Sequence, residues 1–112
     1  MEYRRFGNTI YLRLDPKEEI LEEIGKVAKK ENIRLAQVTG LGAINDFTAG
    51  VYNTVTKEYH SIQFQGAFEI VSLTGTVTRK DGDVYLHLHI AAGDEKGHVH
   101  GGHLNRAIIS AT

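Results

Sequence analysis

Histidine is the residue type whose placement in this sequence is most suggestive of chemistry. Five of the six histidines fall within 17 consecutive residues, where an even distribution would put about one. The clustered residues are His87, His89, His98, His100 and His103. Neutral imidazole is the commonest metal ligand among protein side chains, so the cluster predicts a metal site. The sequence has no cysteine, which excludes thiolate metal sites, disulfides and cysteine nucleophiles.

An Asp-Gly pair at 81–82 predicts a two-residue turn and therefore a β-hairpin that presents two of these histidines. In that register one face of the hairpin is apolar on both strands and belongs to the core. Its cross-strand pairs are Val77–Leu86, Gly75–Leu88 and Leu73–Ile90. The opposite, polar face carries the pairs Thr78–Tyr85, Thr76–His87 and Thr74–His89.

His87 and His89 should therefore point the same way, with their Cα atoms ~6.6–6.8 Å apart along the strand. Two such imidazoles can converge on one ion, and catalytic zinc sites use three protein ligands with a fourth position open to water. His103 is the predicted third ligand because the preceding Gly101-Gly102 lets the backbone approach closely. These three residues form the predicted metal site.

Other histidines and several carboxylates offer alternatives. His98 and His100 form a second His-x-His pair and compete as ligands, whereas the isolated His60 is interpreted as a surface or interface residue. If zinc lowered the pKa of a bound water toward ~7, hydrolysis would also need a general base. The carboxylates available for that role are Glu69, Asp94 and Glu95. Glu69 has the parity of the apolar face, which favours a structural role over a catalytic one.

The sequence as a whole predicts one domain over residues 1–112. This domain should be of the α+β class, with a mostly antiparallel sheet and one principal helix. A helix is predicted over 16–31, with Asp15 as its N-cap and Pro16 at its first position. Its apolar stripe should face the core. Strands are predicted around 10–14, 34–39, 47–54, 57–64, 67–79, 83–92 and 104–111.

Charge and hydropathy exclude several classes of protein. Thirteen basic and fourteen acidic residues give a net charge of −1, which argues against a dedicated binder of nucleic acid or anionic membranes. No apolar run approaches the ~20 residues of a membrane span, and the N-terminus lacks the apolar region of a signal peptide. A cytoplasmic location is therefore expected.

Several segments resemble the plants-and-prokaryotes-conserved (PPC) domain family. Gly66–Gly75 resembles its Gly-x-Phe-Glu-Ile-x-Ser-Leu-x-Gly motif, and Val38–Ala43 is similar to an earlier glycine-containing segment. His87–His89 followed by Gly101–Leu104 resembles the second motif of its prokaryotic members. The resemblance covers residues from about 5 to 112. It implies a PPC-like antiparallel domain that assembles as a homotrimer and is truncated in its last strand, since the family continues where this chain stops.

The resemblance also implies a metal, with zinc expected, on His87, His89 and His103. Our leading hypothesis is a trimeric metal-binding domain that acts as an assembly or sensing module, with a small-molecule ligand as a further option. The alternatives are a zinc-dependent hydrolase or lyase and a DNA-associated regulator. Plant relatives carry an AT-hook, which is missing here because Arg4-Arg5 is followed by Phe6. DNA binding by this chain alone is therefore not expected.

Overall fold

A computed structural model describes all residues, 1–112, as one helix and six strands. In chain order the elements are β1 (Glu2–Phe6), β2 (Thr9–Arg13), α1 (Ile20–Lys30), β3 (Ala36–Asn53), β4 (Glu58–Lys80), β5 (Asp83–Gly93) and β6 (Val99–Ile109). All strand pairs are antiparallel. The predicted α+β class with one principal helix is confirmed. None of the protein's helical structure is long and apolar enough to span a bilayer.

The strands form two separate sheets. β3, β4, β5 and β6 close into a barrel in that order, and β1 and β2 form a hairpin of their own. The barrel encloses most of the core, in which Ile44, Phe47 and Leu88 are the largest fully buried side chains. α1 contributes Ile20 to the same cluster, as the apolar stripe predicts.

Two strands are much longer than predicted, and each of them contains glycines in its interior. β3 joins the predicted segments 34–39 and 47–54, and β4 joins 57–64 and 67–79. The β3–β4 register shifts between Gly40 and Gly42 and again between Ile44 and Asp46. These irregularities bend the strands without ending them, which lets two long strands curve around the barrel.

The β4–β5 hairpin has the predicted register around its turn. Asp81 and Gly82 both have positive φ, 53° and 84°, as a tight hairpin turn of this kind requires. The observed pairs include Lys80–Asp83, Thr76–His87 and Thr74–His89. The register of this hairpin is therefore confirmed from the turn to Leu73–Ile90.

The same register fails at the far end of the hairpin. A shift between Ile70 and Ser72 adds one residue to β4, so the inward and outward positions exchange beyond it. Ile70 is buried and Glu69 is exposed. The placement of Glu69 on the apolar face was therefore wrong, because a bulge reverses the alternation on which it depended.

The helix begins four residues later than predicted, and its cap is Glu19 rather than Asp15. Before the helix, Lys17 donates a backbone hydrogen bond to Ile109 of β6 at 2.8 Å, and Ile109 donates to Glu18 at 3.0 Å. These contacts hold residues 17–19 against the edge of β6, so the chain there cannot be helical. Pro16 consequently precedes the helix by several residues instead of opening it.

Candidate metal centre

The structure brings His87, His89 and His103 together on the outside of the barrel. One potential ligand nitrogen from each lies within 4.8 Å of the other two. The ring centroid of His87 is 5.1 Å from that of His89 and 5.2 Å from that of His103. The ring centroids of His89 and His103 are 5.7 Å apart. We call these three residues the histidine triad.

Strand alternation and pairing explain why the triad forms. His87 and His89 flank Leu88, which is 1% exposed and therefore fixes both imidazoles on the outer face of β5. His103 lies directly opposite His89 in the β5–β6 ladder. β6 begins at Val99, five residues earlier than predicted, so His103 comes from a strand and not from a loop.

Glycines next to these strands allow the backbones to approach closely. A Cβ atom at Gly75 of β4 would overlap the carbonyl oxygen of His87, and one at Gly101 of β6 would overlap that of Ile90. Gly102 has a φ of 153°, and an added Cβ would lie 2.6 Å from the carbonyl oxygen of Gly50. The predicted role of Gly101-Gly102 in close backbone approach is thus seen on both sides of β6.

The triad has the electrostatic character of a neutral imidazole site. His87 and His89 are exposed, and His103 is half-buried. Burial lowers the pKa of His103, and the neighbouring His87 and His89 lower it further because they would repel its positive charge. An unprotonated ring is the form that binds a metal.

The donor set and its spacing fit a divalent transition metal. Ligand nitrogens 2.0–2.1 Å from a tetrahedral zinc are roughly 3.3–3.4 Å apart. If the three nitrogens stood at the corners of a triangle with 4.8 Å sides, each would need to move inward by only about 0.8 Å. Three imidazoles without thiolates favour zinc, copper or nickel over calcium or magnesium, and they leave a fourth position open.

The competing pair, His98 and His100, lies outside the triad and contacts Asp94 instead. The Nε2 atom of His100 is 3.0 Å from Oδ2 of Asp94, and the His98 backbone N–H donates to Oδ1 at 2.9 Å. The His100 ring lies against Phe64, with ring centroids 4.9 Å apart. The hydrogen bond with His100 is the main reason that the pKa of Asp94 is lowered. The contacts of Asp94 with His98 and His100 therefore stabilise the connection between β5 and β6.

The other candidate residues are also separate from the triad. The ring of His60 is exposed and 3.2 Å from Glu58, in agreement with the surface interpretation. Glu69 pairs with Gly93, four residues along β5 from His89, which corresponds to about 13 Å. Glu95 is exposed in the connection between β5 and β6. None of these carboxylates belongs to the group of converging ligand atoms.

Sequence reasoning missed Tyr59 and Asn105, which lie beside His103. The Tyr59 hydroxyl donates a 2.7 Å hydrogen bond to Oδ1 of Asn105, and the Tyr59 and His103 rings meet edge to face with centroids 6.1 Å apart. Tyr59 and His103 are 44 positions apart, so no local spacing reveals their contact.

Comparisons with known proteins agree with this fold. A model of the Plants and Prokaryotes Conserved (PCC) domain matches residues 1–112, which confirms the family resemblance. A PPC protein from Pyrococcus horikoshii is 37% identical with a TM-score of 0.83, over 88% of this chain and 68% of its own. A metal-containing protein from Archaeoglobus fulgidus is 33% identical with a TM-score of 0.84, over 89% of this chain and 71% of its own.

A candidate DNA-binding protein from Bacteroides thetaiotaomicron is 32% identical with a TM-score of 0.95, over 98% of this chain and 77% of its own. A comparison with curated proteins gave no match. The full-length family match, supported by these structural likenesses, shows that the chain belongs to the Plants and Prokaryotes Conserved (PCC) domain family.

Proposed function

We propose that this PCC domain binds one zinc ion per chain through His87, His89 and His103 and acts as an assembly or sensing module. The observation that carries the proposal is the convergence of three imidazoles, with ligand nitrogens within 4.8 Å of one another. The similar Archaeoglobus protein is itself described as metal-containing, which supports the same interpretation. When bound, zinc would supply a Lewis-acidic centre with one position open to an outside ligand.

Metal content measured on the purified full chain tests this proposal. We expect about one zinc per chain after purification without chelators, and loss of most of it in His87→Ala and in His103→Ala. His98→Ala is the matched control, because this histidine belongs to the same cluster in the sequence but lies outside the triad. Protein without stoichiometric metal would contradict the proposal, and metal retained in both triad variants would place the ligands elsewhere.

A binding module explains the arrangement better than a hydrolase does. Hydrolysis at the metal would need a carboxylate or another base within hydrogen-bond reach of the attacking water. Glu69 lies about 13 Å along the sheet from His89, by strand spacing. Asp94 already accepts hydrogen bonds from two backbone N–H groups and contacts His100. A hydrolase panel with and without zinc should therefore show no zinc-dependent turnover.

We also propose that the domain assembles as a homotrimer. Large apolar side chains are exposed on the single chain, among them Leu35 at 79%, Leu41 at 86% and Val71 at 65%. Association can cover such side chains, and the family resemblance implies that it takes the form of a trimer. Light scattering should give three times the 12.4 kDa mass of the chain. A monomer at all accessible concentrations would contradict this part of the proposal.

DNA association has a weaker physical basis, although the Bacteroides relative is described as a candidate DNA-binding protein. The arginines of the β1–β2 hairpin are paired with carboxylates: Arg4 and Arg13 lie 3.6 and 3.5 Å from Glu2, and Arg5 lies 3.7 Å from Glu31. The hairpin therefore presents little uncompensated positive charge to a phosphate backbone. Salt-dependent binding to a DNA duplex near physiological ionic strength would overturn this conclusion.

A further inference from the structure

Tyr59 crosses from its own strand to the strand that carries a proposed metal ligand. It lies near the start of β4, whereas Asn105 and His103 lie on β6, with β3 between them. In β3, Gly50 pairs with Ser61 of β4 on one side and with His103 of β6 on the other. The Tyr59 ring spans β3 at this glycine.

The absence of a side chain at Gly50 makes this crossing feasible. A Cβ atom at Gly50 would lie 2.6 Å from both Cζ and Oη of Tyr59, too close for any ordinary contact. On the far side of β3, the Tyr59 hydroxyl donates its 2.7 Å hydrogen bond to Asn105. The ring is thus held at both ends, by its own backbone in β4 and by Asn105 in β6.

The tethered ring meets the imidazole of His103 in a defined geometry. The two rings are nearly perpendicular, at 88°, with centroids 6.1 Å apart. The second torsion of a histidine side chain has broad minima, so an imidazole without neighbours samples many ring orientations. An aromatic ring held against one side of it narrows that range.

We propose that Tyr59 is a positioning residue for His103, one that orients its imidazole toward the site shared with His87 and His89. The inference rests on the metal-binding function proposed above and adds to it a residue that touches no metal. Outer residues that orient histidine ligands typically change metal affinity by 10–100-fold when they are removed. An edge contact, rather than a direct hydrogen bond to the ring, places Tyr59 at the lower end of that range.

Tyr85 provides the matched control, because it is the second tyrosine beside the triad. Its ring centroid is 6.5 Å from that of His87, in a tilted arrangement. The ring also lies 5.5 Å from the Lys80 ammonium group. Tyr85 makes no hydrogen bond that would tether it across strands, so it should not orient an imidazole.

Binding of Co²⁺ to the metal-free full chain tests the proposal, since the visible spectrum of Co²⁺ reports ligand geometry. We expect Tyr59→Ala to weaken Co²⁺ binding about tenfold and to alter the spectrum. Tyr59→Phe keeps the ring but loses the hydrogen bond to Asn105, so it should fall between wild type and Tyr59→Ala. Tyr85→Ala should bind as the wild type does.

The outcomes separate this inference from the function on which it rests. Wild-type affinity and spectrum in Tyr59→Ala would overturn the positioning role while leaving the metal site intact. An equal loss in Tyr85→Ala would also overturn it, because the effect would then be general to the surface. If the wild type binds no Co²⁺, the proposed function fails, and the positioning role fails with it. If Tyr59→Ala does not fold, Tyr59→Phe decides: unchanged affinity and spectrum overturn the role of the tethered ring.

Discussion

Replacing Glu19 by alanine should destabilise the domain strongly, because one carboxylate serves two elements. Its Oε1 accepts a hydrogen bond from the backbone of Glu22 at 3.0 Å, and its Oε2 accepts one from Leu21 at 3.1 Å, which caps the helix. Oε2 also accepts the backbone N–H of Ala107 in β6 at 2.9 Å. Ala107 is fully buried, so water cannot replace that acceptor without local opening.

The expected cost follows from these contacts. Loss of a side-chain cap typically costs about 1 kcal/mol. A buried N–H left without an acceptor costs roughly 1–3 kcal/mol more. Glu19→Ala should therefore lower the free energy of unfolding by about 2–4 kcal/mol, a large part of the roughly 5–15 kcal/mol of a typical domain.

Urea unfolding of the metal-free protein measures this change. Glu22→Ala is the matched control: this exposed residue also lies in the first turn, but its carboxylate forms no hydrogen bond across to β6. Losing its favourable interaction with the helix dipole should cost only about 0.3–1 kcal/mol. Glu19→Gln keeps one acceptor oxygen and should fall between the two. A Glu19→Ala cost below about 0.5 kcal/mol, or one no greater than that of Glu22→Ala, would refute the reasoning.

Three further predictions concern the helix, the acid stability and the metal. Gly25→Ala should stabilise the protein by about 0.5–1 kcal/mol in urea unfolding, because it lies within α1 and an added Cβ comes no closer than 4.0 Å to another residue; a loss of stability would contradict this. Hydrogen bonds from Gln63 and Arg106 hold the pKa of Asp46 below its usual value. The ionised Asp46 carboxylate therefore stabilises the fold fully above a pH of about 4, and this stabilisation is lost as the pH falls through the lower folded-state pKa. Asp46→Asn should flatten that part of the curve of unfolding free energy against pH. An unchanged slope would contradict this role of Asp46. Zinc at 100 times its Kd should raise the free energy of unfolding by about 2.7 kcal/mol and Tm by roughly 10 °C or more. In a thermal scan, His89→Ala should abolish most of this shift. An undiminished shift in the variant would show that His89 is not a ligand.

The hairpin that presents His87 and His89 was predictable in detail. The Asp81-Gly82 turn and the alternation on both strands select one register, and Leu88 between the two histidines settles which side faces water. The same local information fails at Glu69, because a bulge in β4 interrupts the alternation. Bulges depend on how the barrel closes, which neighbouring residues along the chain do not encode.

The position of the helix start shows a second limit. Asp15-Pro16 has the residue types of a cap and a first turn, and local preference alone favours a start there. Hydrogen bonds between residues 17–19 and the edge of β6 override that preference and leave Glu19 as the cap. The deciding contacts join residues about 90 positions apart.

The sequence by itself determined the class of the fold, the hairpin register and the common direction of His87 and His89, because turn chemistry and side-chain alternation act over a few residues. Only the tertiary structure decided that His103 joins them while His100 turns to Asp94, and that Tyr59 reaches His103 across Gly50. Those outcomes depend on which strands lie side by side and how closely their backbones approach. Such distances are set by the packing of the whole barrel.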